Sequence, residues 1–317
     1  MKKSKQKLIA IVGPTASGKS DLAVFLAKKF NGEIISADSR QVYKYMDIGT
    51  GKITKKEMGG IPHHMLDVAH PIRQFTVAQF KKKTEKIIKD IQGRGKVPIL
   101  AGGTGFYIDA VVYDIEFPKV KANTELRKKL RSYTTEELFK MLKKKDSRRA
   151  KTIQKGNKRR LIRALEIIEE LGEVPQIDIH NYKSKYDVLI IGIKIDKELL
   201  HERIEKRLDA RFGQGMIAEV KKLREEIGVS WRRLEKFGLE YRWIALYLQD
   251  KISKDEMREG LYRDIKRYAR RQMVWFKRNP DIKWVEFKGN KKSASASLMR
   301  DGQLRNEAEY LANEFLE

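Results

Sequence analysis

Apolar residues in the first two hundred positions fall into short runs that stop at glycine or aspartate. Residues 8–12 meet Gly13, residues 33–37 end at Asp38, and residues 97–101 run into Gly102-Gly103-Thr104-Gly105. A fourth run, 188–195, precedes Asp196. Runs of this length bounded by turn residues predict strands, and the fourth reads as buried on both faces. Residues 20–30 and 75–91 carry helical spacing instead; in the second, Val77, Phe80, Thr84, Ile87, Ile88 and Ile91 share a side. Alternating strand and helix signals predict an α/β fold with a parallel sheet.

From about residue 117 to 186 the pattern changes. Strand runs vanish, and charged helical segments follow one another at 125–132, 135–145 and 157–171. The expected organisation is an α/β core of residues 1–116 and 187–317 with a helical insertion, 117–186. The core resumes with helices near 197–211, 217–227, 242–248 and 254–278. A polar stretch at 288–297 reads as a linker before a last amphipathic helix reaching Glu317. No repeat of fixed period is present.

Charge sharpens this division. The net charge is +26, and between Lys119 and Arg163 there are 18 Lys/Arg against 4 Asp/Glu. More than half of the excess therefore lies in the insertion, which points to a polyanionic partner, nucleic acid first. The alternative is a solvated charged face on long helices. There is no cysteine, which excludes disulfides and thiolate zinc sites and suits a reducing cytoplasm. The longest uncharged apolar stretch, 97–108, has 12 residues, where a membrane span needs about 20. The basic start is followed by only five apolar residues, 8–12, too few for a secretory signal. A soluble cytoplasmic chain is expected, without membrane contact, and nothing demands more than a monomer.

Gly13-Pro14-Thr15-Ala16-Ser17-Gly18-Lys19-Ser20 matches the phosphate-loop pattern at every fixed position, between a predicted strand and a predicted helix. Such a loop turns backbone N–H groups onto phosphate oxygens, adds the charge of Lys19, and offers the Ser20 hydroxyl to Mg²⁺. An NTPase usually carries a second acid at a strand end for the metal. Here the strand at 97–101 ends in glycines and threonine and reads poorly as an ATPase strand, although Asp38 and Asp196 do end strands; a diphosphate ester fits the same cradle without hydrolysis.

Further motifs follow in order. They are Asp38-Ser39-Arg40-Gln41-Val42-Tyr43, Met46-Asp47-Ile48-Gly49-Thr50 and Pro62-His63-His64-Met65-Leu66-Asp67, then Gly102-Gly103-Thr104-Gly105-Phe106-Tyr107 and residues 160–166. Last come Gly238-Leu239-Glu240-Tyr241-Arg242 and Arg271-Gln272-Met273-Val274-Trp275-Phe276. Together with the phosphate loop, over residues 8–287, the chain resembles the tRNA dimethylallyltransferase family. The final 30 residues match nothing in that pattern.

The resemblance implies a P-loop parallel-sheet core with a mostly helical inserted domain, dependence on Mg²⁺, and transfer from dimethylallyl diphosphate to tRNA. The acceptor would be the 6-amino group of the adenosine 3′-adjacent to the anticodon, with the base drawn into a channel. It implies Asp38 as general base, Arg207 as a second grip on the diphosphate, and tRNA contacts from Ser39, Arg40, Gln41, Arg127, Arg159, Arg160, Arg163, Arg242, Arg271 and Gln272. Eukaryotic members add a zinc finger, which a chain without cysteine lacks.

The residues allow blander readings beside these. Asp38 stands at a strand end on the side where the phosphate loop opens, and it could instead cap the next turn or bind Mg²⁺. Thr104 could meet the flipped base or ribose, or merely belong to a tight turn. Arg207 could be an ordinary surface residue. Lys158, Arg159, Arg160 and Arg163 begin a helix whose apolar side is Leu161, Leu165 and Ile168, leaving the basic side for RNA phosphate. Arg263, Arg267, Arg270 and Arg271 make a second basic stripe; Trp243 and Trp275 could stack on bases, and Phe276 reads as core. Adjacent His63 and His64 cannot share a helix face, so no transition-metal site is expected. Three other functions remain open at this point: prenylation of free AMP, ADP or ATP, as in plant relatives; a P-loop nucleotide kinase; and a non-catalytic RNA-binding module.

Overall fold

The apolar run before Gly13 becomes the central strand, β1 (Gln6–Val12), in a computed structural model that describes residues 5–176, 184–287 and 302–317. In chain order there follow α1 (Lys19–Lys29), β2 (Gly32–Ser36), α2 (Lys55–Met58), β3 (His63–His64), α3 (Val77–Gly93), β4 (Val97–Gly102) and α4 (Gly105–Val112). Next come α5 (Thr124–Ser132), α6 (Thr135–Lys145), α7 (Ser147–Thr152) and α8 (Lys158–Leu171). Then β5 (Tyr186–Ile195) leads into α9 (Lys197–Gly213), α10 (Met216–Glu225), α11 (Trp231–Phe237), α12 (Leu239–Tyr247) and α13 (Lys254–Phe276). The chain closes with β6 (Ile282–Phe287) and α14 (Gly302–Leu316). Two units emerge: Met1–Asp114 with Lys183–Glu317, and Ile115–Tyr182.

The larger unit is an α/β fold around a six-stranded sheet of order β3-β2-β4-β1-β5-β6, every neighbouring pair parallel. Strand β1 is buried on both faces because helices cover both. Leu8, Ala10 and Val12 join a core with α3, α4 and the helices from α9 to α13, while Ile9 and Ile11 join a second core with α1 and α14. Parallel pairing brings the carboxyl ends of β1, β2, β4 and β5 to one rim. Strand β1 also lies where the strand order reverses, the place where open α/β sheets take ligands.

The elements that the pattern did not predict are short or depend on partners. Strand β6 gains its identity by pairing with β5 from Ile190↔Ile282 to Ile195↔Phe287. Helix α4 starts inside the glycine-rich loop, and α7 has only six residues. The final helix finds its purpose in packing: Leu304, Ala308 and Ala312 are buried in the core that holds α1. The linker expected at 288–297 lies outside the described residues. Among the described residues, no helix is long and apolar enough to cross a membrane.

The smaller unit packs α5–α8 around Leu130, Leu138, Leu142, Leu161, Leu165 and Ile168. Its core also holds the carboxylate of Glu166, 2% exposed. Arg127 grips it through two bonds of 2.7 Å, Arg163 adds another, and the Asn123 amide donates at 2.7 Å.

Candidate active site

The phosphate loop leaves β1 and turns into α1 at Lys19, so the first helical N–H groups face the rim. Lys19 curls back to donate to the Pro14 carbonyl at 2.6 Å. Ser17 is buried, and its hydroxyl has no hydrogen-bond partner. Helix α9 braces the loop from outside: Arg203 Nε donates to the Ala16 carbonyl at 2.9 Å.

Arg203, Arg207 and Arg211 recur every four residues and so share one side of α9. Arg207 and Arg211 converge on Gly51. A Cβ added there would stand 1.7 Å from Arg211 Nη2 and 2.3 Å from Arg207 Nη2, and the backbone already has φ +56, so only glycine fits. Arg211 is 8% exposed. Its Nη1 reaches Glu240 at 3.2 Å and the Gly49 carbonyl at 3.3 Å, while Nη2 has no partner. The strap across these cations is held by Glu219, which accepts from the amides of Asp47, Ile48 and Gly49 and from the Tyr241 hydroxyl.

The rim is therefore rich in unneutralised positive charge. Burial and the nearby Arg207 lower the Lys19 pKa to about 7, against the opposing pull of Asp38. Burial and Arg211 lower Arg207 to about 9, with Glu240 and Asp38 opposing. Burial raises the Glu240 carboxyl, although Arg211 draws it down. Three cations thus face two carboxylates in a desolvated place, an arrangement that an anionic ligand would relieve.

On the neighbouring strand ends lie the two residues expected to carry chemistry. Asp38 follows β2, is half-buried, and accepts from the amides of Arg40 at 2.7 Å and Gln41 at 3.3 Å. Those bonds use only Oδ1, so turn capping and a base role are compatible. The Thr104 hydroxyl accepts from the Ser39 amide at 3.0 Å, and the Thr104 amide donates to the Ala37 carbonyl at 3.2 Å. Tyr268 of α13 lies beside Thr104, and burial raises its pKa well above the usual phenol range.

Helix α13 does more here than its sequence suggested. Gln272 is 5% exposed, accepts from the Thr15 amide at 2.8 Å and donates to the Gly103 carbonyl at 2.9 Å. Both ends of its amide are spent inside the protein, so the expected tRNA contact gives way to a bridge between two loops. Trp275 donates to Asp109 at 2.9 Å, and Arg278 stacks 4.1 Å over its ring. Phe276 is core, 3% exposed.

The other expected RNA contacts separate by environment. Arg242 and Arg271 are exposed, and Arg271 lines a groove with Arg267, Arg270, Val274, Trp275 and Arg278. Arg159 and Arg160 are exposed on α8, whereas Arg127 and Arg163 are tied to Glu166. Arg40 is half-buried, donating to the Phe237 carbonyl. Gln41 turns inward to Ser36, Thr50 and Gly51. His63, His64 and Asp67 point to separate partners, the Ile61 carbonyl, Glu33 and Lys52, and do not form a metal cluster. Sequence reading missed Arg203, Arg211, Glu219, Glu240 and Tyr268 as site residues. The four-residue spacing of the arginines could have flagged Arg203 and Arg211, and Glu240 stood within the Gly238–Arg242 motif without a role.

Comparison with known proteins places this geometry. The model of the IPP transferase family matches residues 41–279. A tRNA dimethylallyltransferase of Caldanaerobacter subterraneus subsp. tengcongensis is 43% identical over 291 residues, covering 88% of this chain and 91% of the relative. Its counterpart in Bacillus pumilus is 41% identical over 292 residues, covering 90% and 91%. The crystal structure of the tRNA isopentenylpyrophosphate transferase of Bacillus halodurans superposes with a TM-score of 0.73 at 36% identity, covering 98% of this chain and 97% of that one. A eukaryotic dimethylallyltransferase seen acting on tRNA gives 0.82 at 26% identity, covering 98% and 79%.

Proposed function

Because the chain belongs to the IPP transferase family, we propose that it prenylates tRNA at the rim of its sheet, with dimethylallyl diphosphate as donor. The acceptor is the 6-amino group of the adenosine 3′-adjacent to the anticodon. The observation that carries this reading is one juxtaposition. A phosphate loop crowded by Lys19 and Arg207 lies beside two strand ends, Asp38 and Thr104, which the Ser39 amide and Ala37 carbonyl lock together.

An exocyclic adenine amine is a weak nucleophile because its lone pair is delocalised into the ring. As the nitrogen bonds to the allylic carbon, the carbon–oxygen bond breaks and diphosphate departs with the electron pair. Asp38 takes the amine proton, an assistance worth about 10²–10⁴-fold for general bases as a class. The N–H groups at the start of α1, Lys19 and Arg207 stabilise the charge gathering on the leaving group. Thr104 orients the acceptor, held by the Ser39 amide.

Mg²⁺ usually binds through one or two carboxylates plus substrate phosphates. The exposed Ser20 hydroxyl at the start of α1 fits such a site shared with the diphosphate, and no cluster of three or more acidic or histidine ligands exists among the described residues to hold a metal alone. When bound, the ion would neutralise diphosphate oxygens. A tRNA substrate also gives the basic smaller unit its use, with Arg159 and Arg160 exposed.

The test is transfer of labelled dimethylallyl diphosphate to unmodified tRNA with Mg²⁺, run beside AMP. Label in tRNA alone is the expected result. Label in AMP would move the protein to free-nucleotide prenylation, and label in neither would return the loop to ATP.

A further inference from the structure

Strands β1 and β4 end level with one another, at the register pair Val12↔Gly102. Beyond that pair no strand pairing joins the two chains, although the Thr104 loop stays tied to the end of β2. One chain becomes the diphosphate loop and the other becomes the loop of Thr104. A displacement reaction is sensitive to the spacing of those two loops, because attacking nitrogen, allylic carbon and leaving oxygen must line up; an error of about 1 Å costs about 10²-fold.

We propose that Gln272 is a positioning residue for the transfer, its side-chain amide setting the separation between the loop that grips the diphosphate and the loop that carries Thr104. This role presupposes prenyl transfer at this site. The amide spans from the Thr15 N–H, which it accepts at 2.8 Å, to the Gly103 carbonyl, to which it donates at 2.9 Å. Only a group with an acceptor and a donor side by side in one rigid plane can make both bonds. With 5% of the residue exposed, little water is at hand to replace either.

The surroundings fit a bridge. A Cβ added to Gly103 would lie 2.1 Å from Gln272 Nε2, so the close approach requires glycine there. Helix α13 also holds the same region one turn away on either side. Tyr268 lies beside Thr104, and Trp275 donates to Asp109 in the middle of the next helix, α4. Gln272 is the member of this set that reaches the diphosphate loop as well.

The experiment compares Gln272→Met and Gln272→Glu with the wild type in single-turnover transfer, beside titrations of inorganic diphosphate and of tRNA. Gln272→Met keeps the volume and loses both bonds; its rate should fall about 10²-fold while both binding constants stay within about 3-fold. Gln272→Glu keeps the bond from Thr15 but sets carboxylate against carbonyl near pH 8. Its rate should recover relative to wild type towards about pH 6, where a protonated carboxyl can again donate to Gly103. Packing alone would not produce that recovery. If Gln272→Met does not fold, the pH course of Gln272→Glu decides. A Gln272→Met rate within about 3-fold of wild type, a loss accounted for by weaker diphosphate binding, or a Gln272→Glu ratio flat with pH would overturn the bridge. A wild type that transfers nothing to tRNA would instead overturn the reaction on which the bridge depends.

Discussion

The two ends of β2 handle buried charge in opposite ways. At its start, Glu33 is 2% exposed and fully answered: Arg94 binds both oxygens, and Lys96 and His64 each add a bond of 2.8 Å. The Arg94 bonds hold its carboxyl well below the usual range, against the cost of burial. Just past the other end lies Asp38, beside Lys19 and Arg207, with Arg211 next to Arg207. There the cations outnumber the carboxylates, and Arg211 Nη2 and Ser17 Oγ stay buried without partners. A closed cluster fixes strands in place. An open one retains electrostatic work for a ligand to complete, and that distinguishes a site from a staple on one sheet.

The comparison breaks first at Asp38. Asp38→Ala should lower single-turnover transfer by about 10²–10⁴-fold, with the thermal unfolding midpoint nearly unchanged. Near-normal transfer would return Asp38 to turn capping alone. Glu33→Gln should do the reverse. Severing a buried ion pair typically costs about 3–5 kcal/mol, but Arg94 and Lys96 are 41% and 31% exposed, and screening reduces this to about 2 kcal/mol. Transfer per folded molecule should not change. A carboxyl lowered in the fold stabilises above the unfolded value, and that contribution fades as pH falls through about 4 and below. Denaturant midpoints across that range should show this acid limb in wild type and not in Glu33→Gln.

How far the sequence exposed these two clusters depended on chain distance. The phosphate loop was legible because its eight positions are contiguous and their meaning is local. Asp38 and Thr104 were legible because a strand followed by a turn marks a rim. The Gln272 bridge was not, since its partners lie 257 and 169 positions away and a buried glutamine leaves no periodic mark. Arg211 and Glu240 are only 29 positions apart, yet two charged residues on helices read as solvated until packing encloses them. Strand β6 exists through pairing with β5, which no local pattern encodes.

The smaller unit repeats the contrast on one helix and sharpens it. Arg163 belongs to the closed Glu166 cluster with Arg127, while Arg159 and Arg160 stand exposed. Replacing Arg159 and Arg160 by Ala should weaken tRNA binding and flatten the slope of log affinity against log salt by about 1 to 2. Arg127→Ala should leave that slope within about 0.5 and lower thermal stability instead, because it strips a partner from a buried carboxylate. Equal slope changes in both variants would mean that the Glu166 cluster is open to RNA after all.

The smallest effect tests the open cluster most directly. With Lys19 at about 7 in the free protein, its amine is largely neutral near pH 8. An anion seated in the loop favours the charged form, so binding should draw in a proton, approaching one per site at about pH 8 and vanishing below about pH 6, where Lys19 is already charged. Calorimetric titration of inorganic diphosphate in buffers of different ionisation enthalpy reads this uptake after subtraction of the diphosphate's own protonation. Lys19→Met should abolish it, and the lysine's contribution to affinity should decline from about pH 7 to 9. An uptake that survives in Lys19→Met would assign the titration elsewhere on the rim. Its absence in wild type would mean that Lys19 is neutralised without a ligand, making the Asp38 end of β2 as closed as the Glu33 end.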